Sequence, residues 1–172
     1  MSTMPLSMPC IENKEKTMKY SNTVQEKHVI MEKYIPLLIK SSTMPIGAEH
    51  VIYRHGLHSL MEIAFDATTC AVHKVCLPIC EEYQVYDADY LLPLNHTIGD
   101  VLVEKSDDIT TDIFVCEIYR NAIKVKLNSG TPQQVITTGN LAWELDAKGD
   151  LISLAVYGQK QNVIDHALKE LK

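Results

Sequence analysis

The sequence lacks the glycine-rich loops and short catalytic motifs that identify many enzymes. Only seven of its 172 residues are glycine, and neither the Gly-x4-Gly-Lys-Ser/Thr pattern nor the Gly-x-Gly-x2-Gly pattern occurs. Both common phosphate-cradling loops are therefore excluded. The Gly-x-Ser-x-Gly elbow of the α/β-hydrolases is also missing,. Asp146 and Asp150 resemble the start of a calcium loop, but the EF-hand spacing and its distant Glu are absent.

Cysteine is too sparse for a disulfide framework. The chain has five cysteines, an odd number, which indicates reduced thiols rather than a small secreted domain. The first residues contain no basic segment followed by an apolar core, so the sequence does not predict a signal peptide. The longest apolar stretch near the front, residues 34–39, is interrupted by Pro36 and is too short to span a bilayer. We therefore expect a cytoplasmic protein.

Positive charge is scarce as well. Lys and Arg total 16 against 22 Asp and Glu, which gives a formal net charge of −6. Phosphate contacts need clustered Lys and Arg, so we expect no direct binding of nucleic acid or of an anionic membrane. The hydrophobic content of 46% and this length predict one globular domain with its own core,. We assign residues 1–20 to a flexible leader and residues 21–172 to a single domain.

Local patterns predict an α+β fold, mainly an antiparallel sheet of hairpins with a helix near each end. Thr23 and Glu26 have the capping-box spacing, and apolar residues after them fall on one helical face. They predict an N-terminal helix. Pro36 conflicts with its continuation, so a helix ending near Tyr34 or an extended segment there are both open. A closing amphipathic helix, capped by Asn162, is expected at the C-terminus.

Period-two alternation predicts three hairpins between these helices. Their strand pairs are 60–65 with 72–77, 113–119 with 122–127, and 141–145 with 151–156. Gly149 supplies the positive φ that the third turn needs. The first and third hairpins share an apolar residue followed by Asp-Ala, at 65–67 and 145–147. This similarity leaves two interpretations open, an internal duplication or the common physics of short hairpins.

Two groups of side chains leave a metal-dependent or thiol-dependent enzyme as the alternative function. Histidines at short spacings can bind zinc, and a thiol beside a histidine can act as a nucleophile. Loop histidines and buried cysteines are the more common interpretation of both groups. On a strand, the cysteines would share one face and His73 would lie on the other. We predict no metal and no cofactor. The groups are His50, His55 and His58, and Cys70, Cys76 and Cys80.

Residues 81–117 form the most unusual segment. They contain ten carboxylates and one base, Lys105, so the segment carries −9 and the rest of the chain +3. A solvated loop face is one interpretation. The functional interpretation is a docking surface for a basic protein, in which tyrosines supply contact area and carboxylates steer association. The residues expected to bind the partner are Glu81, Glu82, Tyr83, Tyr86, Asp87, Asp89, Tyr90, Asp107, Asp108 and Asp112.

The last third of the chain resembles small bacterial β-hairpin domains with the pattern Leu-x-x-Asp-x-x-Gly-x-Leu. Residues 121–127 and 143–152 carry the match, with Ser153 in place of the usual glycine. In size, acidity and lack of an active-site motif, the whole chain is similar to bacterial immunity proteins encoded beside contact-dependent growth-inhibition toxins. This resemblance implies a stoichiometric inhibitor of a basic toxin domain, with a nuclease as the expected class. A regulatory subunit with a non-toxin partner is a further alternative.

Overall fold

A computed structural model of the chain describes residues 18–43 and 45–172. The described part of the protein is mostly β-structure with one short C-terminal helix. The strands are β1 (Met18–Ser21), β2 (Lys27–Val29), β3 (Leu37–Ser41), β4 (Ala48–His55), β5 (Ser59–Asp66), β6 (Val72–Ile79), β7 (Tyr83–Val85), β8 (Thr97–Ile98), β9 (Asp100–Val103), β10 (Asp107–Thr110), β11 (Val115–Ile118), β12 (Ile123–Lys126), β13 (Gln134–Thr138), β14 (Leu141–Leu145) and β15 (Leu151–Val156), and the helix is α1 (Gln161–Leu171).

The expected α+β class is therefore wrong, and so is the N-terminal helix, because its residues form a hairpin. β2 and β3 pair antiparallel, with Val29 opposite Ile39, and β3 in turn pairs with β6. Pro36 cannot donate a helical hydrogen bond, and Tyr34 adopts a left-handed φ of 70° that turns the chain. Pairing with the distant strand β6 thus prevails over the local helical pattern.

The first strand crosses the boundary that the sequence predicts between the leader and the domain. β1 includes residues 18–20, which we had assigned to the leader, and Met18 is buried in the core. β1 pairs antiparallel with β9 in a two-stranded ribbon. The remaining residues of the leader, 1–17, lie outside the described residues.

The three predicted hairpins are present in two larger sheets. The six-stranded sheet has the order β10-β4-β5-β6-β3-β2, and the seven-stranded sheet has the order β7-β11-β12-β15-β14-β13-β8. Gly149 has a φ of 85° in the turn between β14 and β15, as expected. Side chains from both sheets, from the ribbon and from α1 meet in one hydrophobic core, in which Trp143 is fully buried.

The two sheets contain the same five-strand arrangement. The order β2-β3-β6-β5-β4 in one sheet repeats as β11-β12-β15-β14-β13 in the other, and every pair is antiparallel. The hairpins with the shared sequence pattern occupy equivalent places. Asp66 Oδ1 accepts the amide of Thr68, and Asp146 Oδ1 accepts the amide of Lys148. This equivalence favours the duplication over a chance similarity of two hairpins.

α1 closes one side of the molecule. It begins two residues before predicted, at Gln161 after an extended Lys160 that makes no side-chain cap, so Asn162 is not its cap. Ile164 and Ala167 face the core, and His166 Nε2 donates to the carbonyl of Ile35 at 3.0 Å. In the part of the chain that the structure describes, no helix is long and apolar enough to cross a membrane.

Candidate functional site

The residues predicted to bind a partner fall into three groups on the edges of the two sheets. Glu81 and Glu82 precede the edge strand β7 and Tyr83 begins it, residues 86–90 follow it, and residues 107–112 lie on and after β10, the edge strand of the six-stranded sheet. The first and third groups border the same turn between β4 and β5. Glu81 N donates to Ser59 Oγ at 3.0 Å, and His55 Nδ1 donates to the carbonyl of Thr111 at 2.9 Å.

The tyrosines are less available to a partner than the sequence suggested. Tyr83 is half-buried against the core. Tyr90 is half-buried between Tyr119 and Tyr157, at ring-centroid distances of 5.6 and 6.0 Å. Tyr86 stacks on Tyr119 at 5.1 Å and remains 37% exposed. The packed rings of residues 86, 90, 119 and 157 hold the loop after β7 against the β11–β12 turn. Of the predicted tyrosines, only Tyr86 keeps a substantial exposed surface.

Apolar side chains that we did not predict are exposed beside these tyrosines. Leu91 is 84% exposed and Leu94 is 96% exposed, in the irregular loop between β7 and β8. Val85 and Ile98 at the two ends of the loop are 60% and 75% exposed. The run Leu91-Leu92-Pro93-Leu94 within an acidic segment was the available signal, since a proline-broken apolar run outside a strand has no element to bury it.

Folding brings bases from elsewhere in the chain to several of the carboxylates. Lys27 pairs with Asp100 at 2.7 Å in a fully buried site, with both side chains 2% exposed. Arg120 Nε lies 3.6 Å from Asp89 and 3.7 Å from Asp87, in an exposed setting. In the described residues Glu81 and Glu82 form no ion pair. The strong negative charge of the segment is therefore neutralised only in part.

Asp107 and Asp108 lie on opposite faces of β10, as the alternation of a strand requires. The guanidinium of Arg54 on β4 donates to both oxygens of Asp108, at 2.7 and 3.1 Å, and lowers the pKa of that carboxyl. Asp107 faces the other way, into a cavity. Asp112 accepts the hydroxyl of Ser129 at 2.6 Å, and this hydrogen bond lowers its pKa.

The histidines of the alternative function do not converge on a common point. His50 Nδ1 lies 2.9 Å from Glu62, while His55 bonds to a backbone carbonyl and His58 is exposed. Across residues 18–43 and 45–172, no three His, Cys, Asp or Glu side chains are arranged to hold a metal ion.

The cysteines do not share one face, because a β-bulge in β6 shifts its register. Val72 and Val75 are both buried although they are three positions apart, because the bulge lies between them. Cys76 follows the buried Val75 and therefore points to the outer face of the sheet. Cys80 is buried beyond the strand, and burial raises the pKa of its thiol to about 11. Burial also raises the thiol pKa of Cys70 and Cys76. A thiol needs a lowered pKa to act as a nucleophile, so this arrangement does not favour thiol catalysis.

A cavity of about 390 Å³ opens beside β10. Residues from both main sheets line it, and three of them are carboxylates. No protein-family model matches this chain, and no curated protein is significantly similar to it in sequence. The function must therefore be inferred from the chemistry of the cavity and of the acidic edges, which are the edge strands β7 and β10 with the carboxylates beside them.

Proposed function

We propose that this chain is a non-catalytic binding protein that neutralises a basic toxin domain in the cytoplasm, by stoichiometric binding through its acidic edges. A nuclease is the expected class of partner, because a nuclease must itself attract phosphate with positive charge. The loop between β7 and β8 is the observation that supports this proposal. It combines an Asp87 side chain that is 99% exposed with the exposed side chains of Leu91 and Leu94.

This combination has the properties of a protein interface. Interfaces place apolar side chains at their centre and polar side chains at their rim. The leucines would lose their contact with water on binding, and the carboxylates of Asp87 and Asp89 would attract a positively charged partner during approach. The tyrosine cluster of residues 86, 90, 119 and 157 supports the loop, so that less ordering is needed when the partner binds.

The test uses the full chain and the basic polypeptide that it captures from the lysate of its own cells. We expect the activity of that polypeptide to fall to zero at one equivalent of the chain. A captured basic protein that remains active at saturation would contradict neutralisation and would indicate a regulatory subunit instead.

Charge reversal then tests the surface. Asp87→Lys/Asp89→Lys should reduce the association rate about tenfold at low ionic strength, and salt should reduce the difference. Glu26→Lys/Asp165→Lys is the control, because it makes the same change in net charge at exposed residues outside the predicted surface. Equal effects of the two variants would refute a specific role for the loop.

The leucines make a separate prediction. Leu91→Ser/Leu94→Ser should increase the dissociation rate, since apolar contacts act mainly after the encounter. The free energy of unfolding should stay within about 0.5 kcal/mol of the wild-type value, because both side chains are exposed. An unchanged dissociation rate would exclude the leucines from the interface.

A further inference from the structure

The cavity beside β10 is bounded by residues of the two main sheets, and both polar and apolar side chains line it. Tyr53 of β4 and Ile109 of β10 line it from the six-stranded sheet. Leu151 of β15 and Leu127, the residue after β12, line it from the side of the seven-stranded sheet. Tyr53, Leu127 and Leu151 are buried, so they form the inner part. Its volume of about 390 Å³ lies in the range of sites that bind small groups,.

Carboxylates surround the opening, and no Lys, Arg or His is among the described residues that line it. The carboxylates are those of Asp107, Asp112 and Asp150. Asp107 and Asp112 are exposed and form no ion pair with any described residue. The amide of Asp108 donates to Asp107, and the hydroxyl and the amide of Ser129 donate to Asp112. No described base therefore neutralises Asp107 or Asp112, and their charges favour a cation at the opening,.

An independent observation comes from the hydroxyl of Tyr53. The side chain is 2% exposed, and no described residue forms a hydrogen bond with its hydroxyl group. Tyr53 lines the same cavity as Asp150 and Asp107, and burial, followed by their charges, raises the pKa of its phenol. A buried hydroxyl without a partner is unfavourable in a native protein, and a donor placed in the cavity would satisfy it.

We propose that this cavity receives the guanidinium group of an arginine side chain on the basic partner, an inference that rests on the proposed function. A guanidinium has five N–H donors and no acceptor. It can therefore donate to a carboxylate at the opening and to the Tyr53 oxygen together. The methylene groups of arginine would pack on Leu127 and Leu151, as long cationic side chains do on apolar surface.

Two other cationic occupants fit less well. A divalent metal needs several ligands within bonding distance of one point, and the described residues hold no such group,. A lysine ammonium is compact and strongly hydrated, so it would leave part of this large opening and its separated acceptors unused. A guanidinium instead offers five N–H donors in one plane, which can reach more than one acceptor.

The first experiment needs no partner. The full chain is titrated with N-acetyl-arginine amide, and the backbone amide signals of Thr111, Asn128 and Leu151 are followed by NMR. We expect saturable shifts with this probe, weaker binding of N-acetyl-lysine amide, and no shifts with the uncharged N-acetyl-citrulline amide. Absence of saturable shifts with the arginine probe would overturn the assignment. Equal binding of the lysine probe would overturn its specificity for guanidinium, and equal binding of the citrulline probe would overturn the role of charge.

Substitutions on neighbouring residues provide the control. Asp107→Asn/Asp112→Asn should weaken binding of the arginine probe about tenfold, since it removes two charge-assisted acceptors. Asp108→Asn makes the same kind of change on the same strand but faces Arg54, so it should leave the affinity unchanged. Similar losses in both variants would refute the cavity as the site.

Tyr53→Phe separates a role in binding from a role in folding. Because no described residue bonds to the hydroxyl, its removal should leave the melting temperature equal or higher, while the affinity for the arginine probe falls several-fold. A lower melting temperature with unchanged affinity would contradict the proposed role.

Failure of this inference differs from failure of the proposed function. If the wild-type chain neutralises its basic partner and Asp107→Asn/Asp112→Asn neutralises it equally well, the cavity is not the arginine site and the function stands. If the chain binds the arginine probe but neutralises no basic protein, the proposed function is wrong. The guanidinium site then stands, but its arginine does not come from a toxin.

Discussion

Replacement of Lys27 by methionine should destabilise the protein strongly, because among the described residues Lys27 is the only base paired with a fully buried carboxylate. Lys27 Nζ lies 2.7 Å from Asp100 Oδ2, and each side chain is 2% exposed. Removal of one partner from a buried ion pair costs about 3–5 kcal/mol, since it leaves an uncompensated buried charge. We expect the lower part of this range. The amides of Gln25 and Val101 still donate to Asp100, at 3.1 and 2.9 Å.

The chain contains its own probe for this measurement. Trp143 is the only tryptophan and is fully buried, and its indole N–H donates to Thr138 Oγ1, which also lies 3.4 Å from Asp100. Urea unfolding followed by tryptophan fluorescence should give a free energy of unfolding about 3 kcal/mol below the wild-type value. For a chain of this size, the melting temperature should fall by about 10 °C.

Lys19→Met is the matched control. Lys19 pairs with Glu104 at the same distance of 2.7 Å, but the side chains are 50% and 45% exposed. Its loss should cost less than about 1 kcal/mol, since water solvates the remaining carboxylate. If Lys27→Met costs no more than Lys19→Met, burial does not determine the strength of these pairs and the reasoning fails.

Two further predictions concern stability. The Cys80 thiol has an ordinary pKa of 9.0, and burial raises it to about 11 in the folded chain, so its stabilising contribution is complete below pH 9 and is lost as the pH rises toward 11. The stability difference between wild type and Cys80→Ala, measured by urea unfolding, should shrink over this interval; a constant difference would contradict the shift. Gly149→Ala should lower the free energy of unfolding by about 1 kcal/mol, because alanine is strained at this positive φ,. Cys70→Gly, at a φ of 67° in the equivalent turn, should leave the free energy of unfolding unchanged,. Equal losses in thermal unfolding would refute this explanation.

Hairpins were predictable because their determinants are local. The alternation of residues 141–145 and 151–156 and the turn at Gly149 lie within one short segment, and the structure confirms them. The C-terminal helix was predictable for the same reason, although its first residue was not. The equivalence of the two five-strand arrangements, by contrast, was visible only as two similar turns, because sequence patterns do not give strand order.

The N-terminal segment shows where local patterns fail. Thr23 and Glu26 have a helical capping pattern, but Leu37 pairs with Leu77 of β6, forty positions away in the chain. The free energy gained by burial in the sheet depends on that distant strand. A bulge in β6 likewise changed which residues face the core, so the expected common face of the cysteines was wrong.

The sequence by itself determined the local properties of the candidate site: the excess of carboxylates in residues 81–117 and the tyrosines among them. Only the tertiary structure decided which carboxylates keep their charge uncompensated. Asp108 meets Arg54 and Asp100 meets Lys27, whereas Asp107 faces a cavity with Tyr53. Charge is a property of composition, but the distance between charges and their exposure to water depend on contacts between residues far apart in the chain.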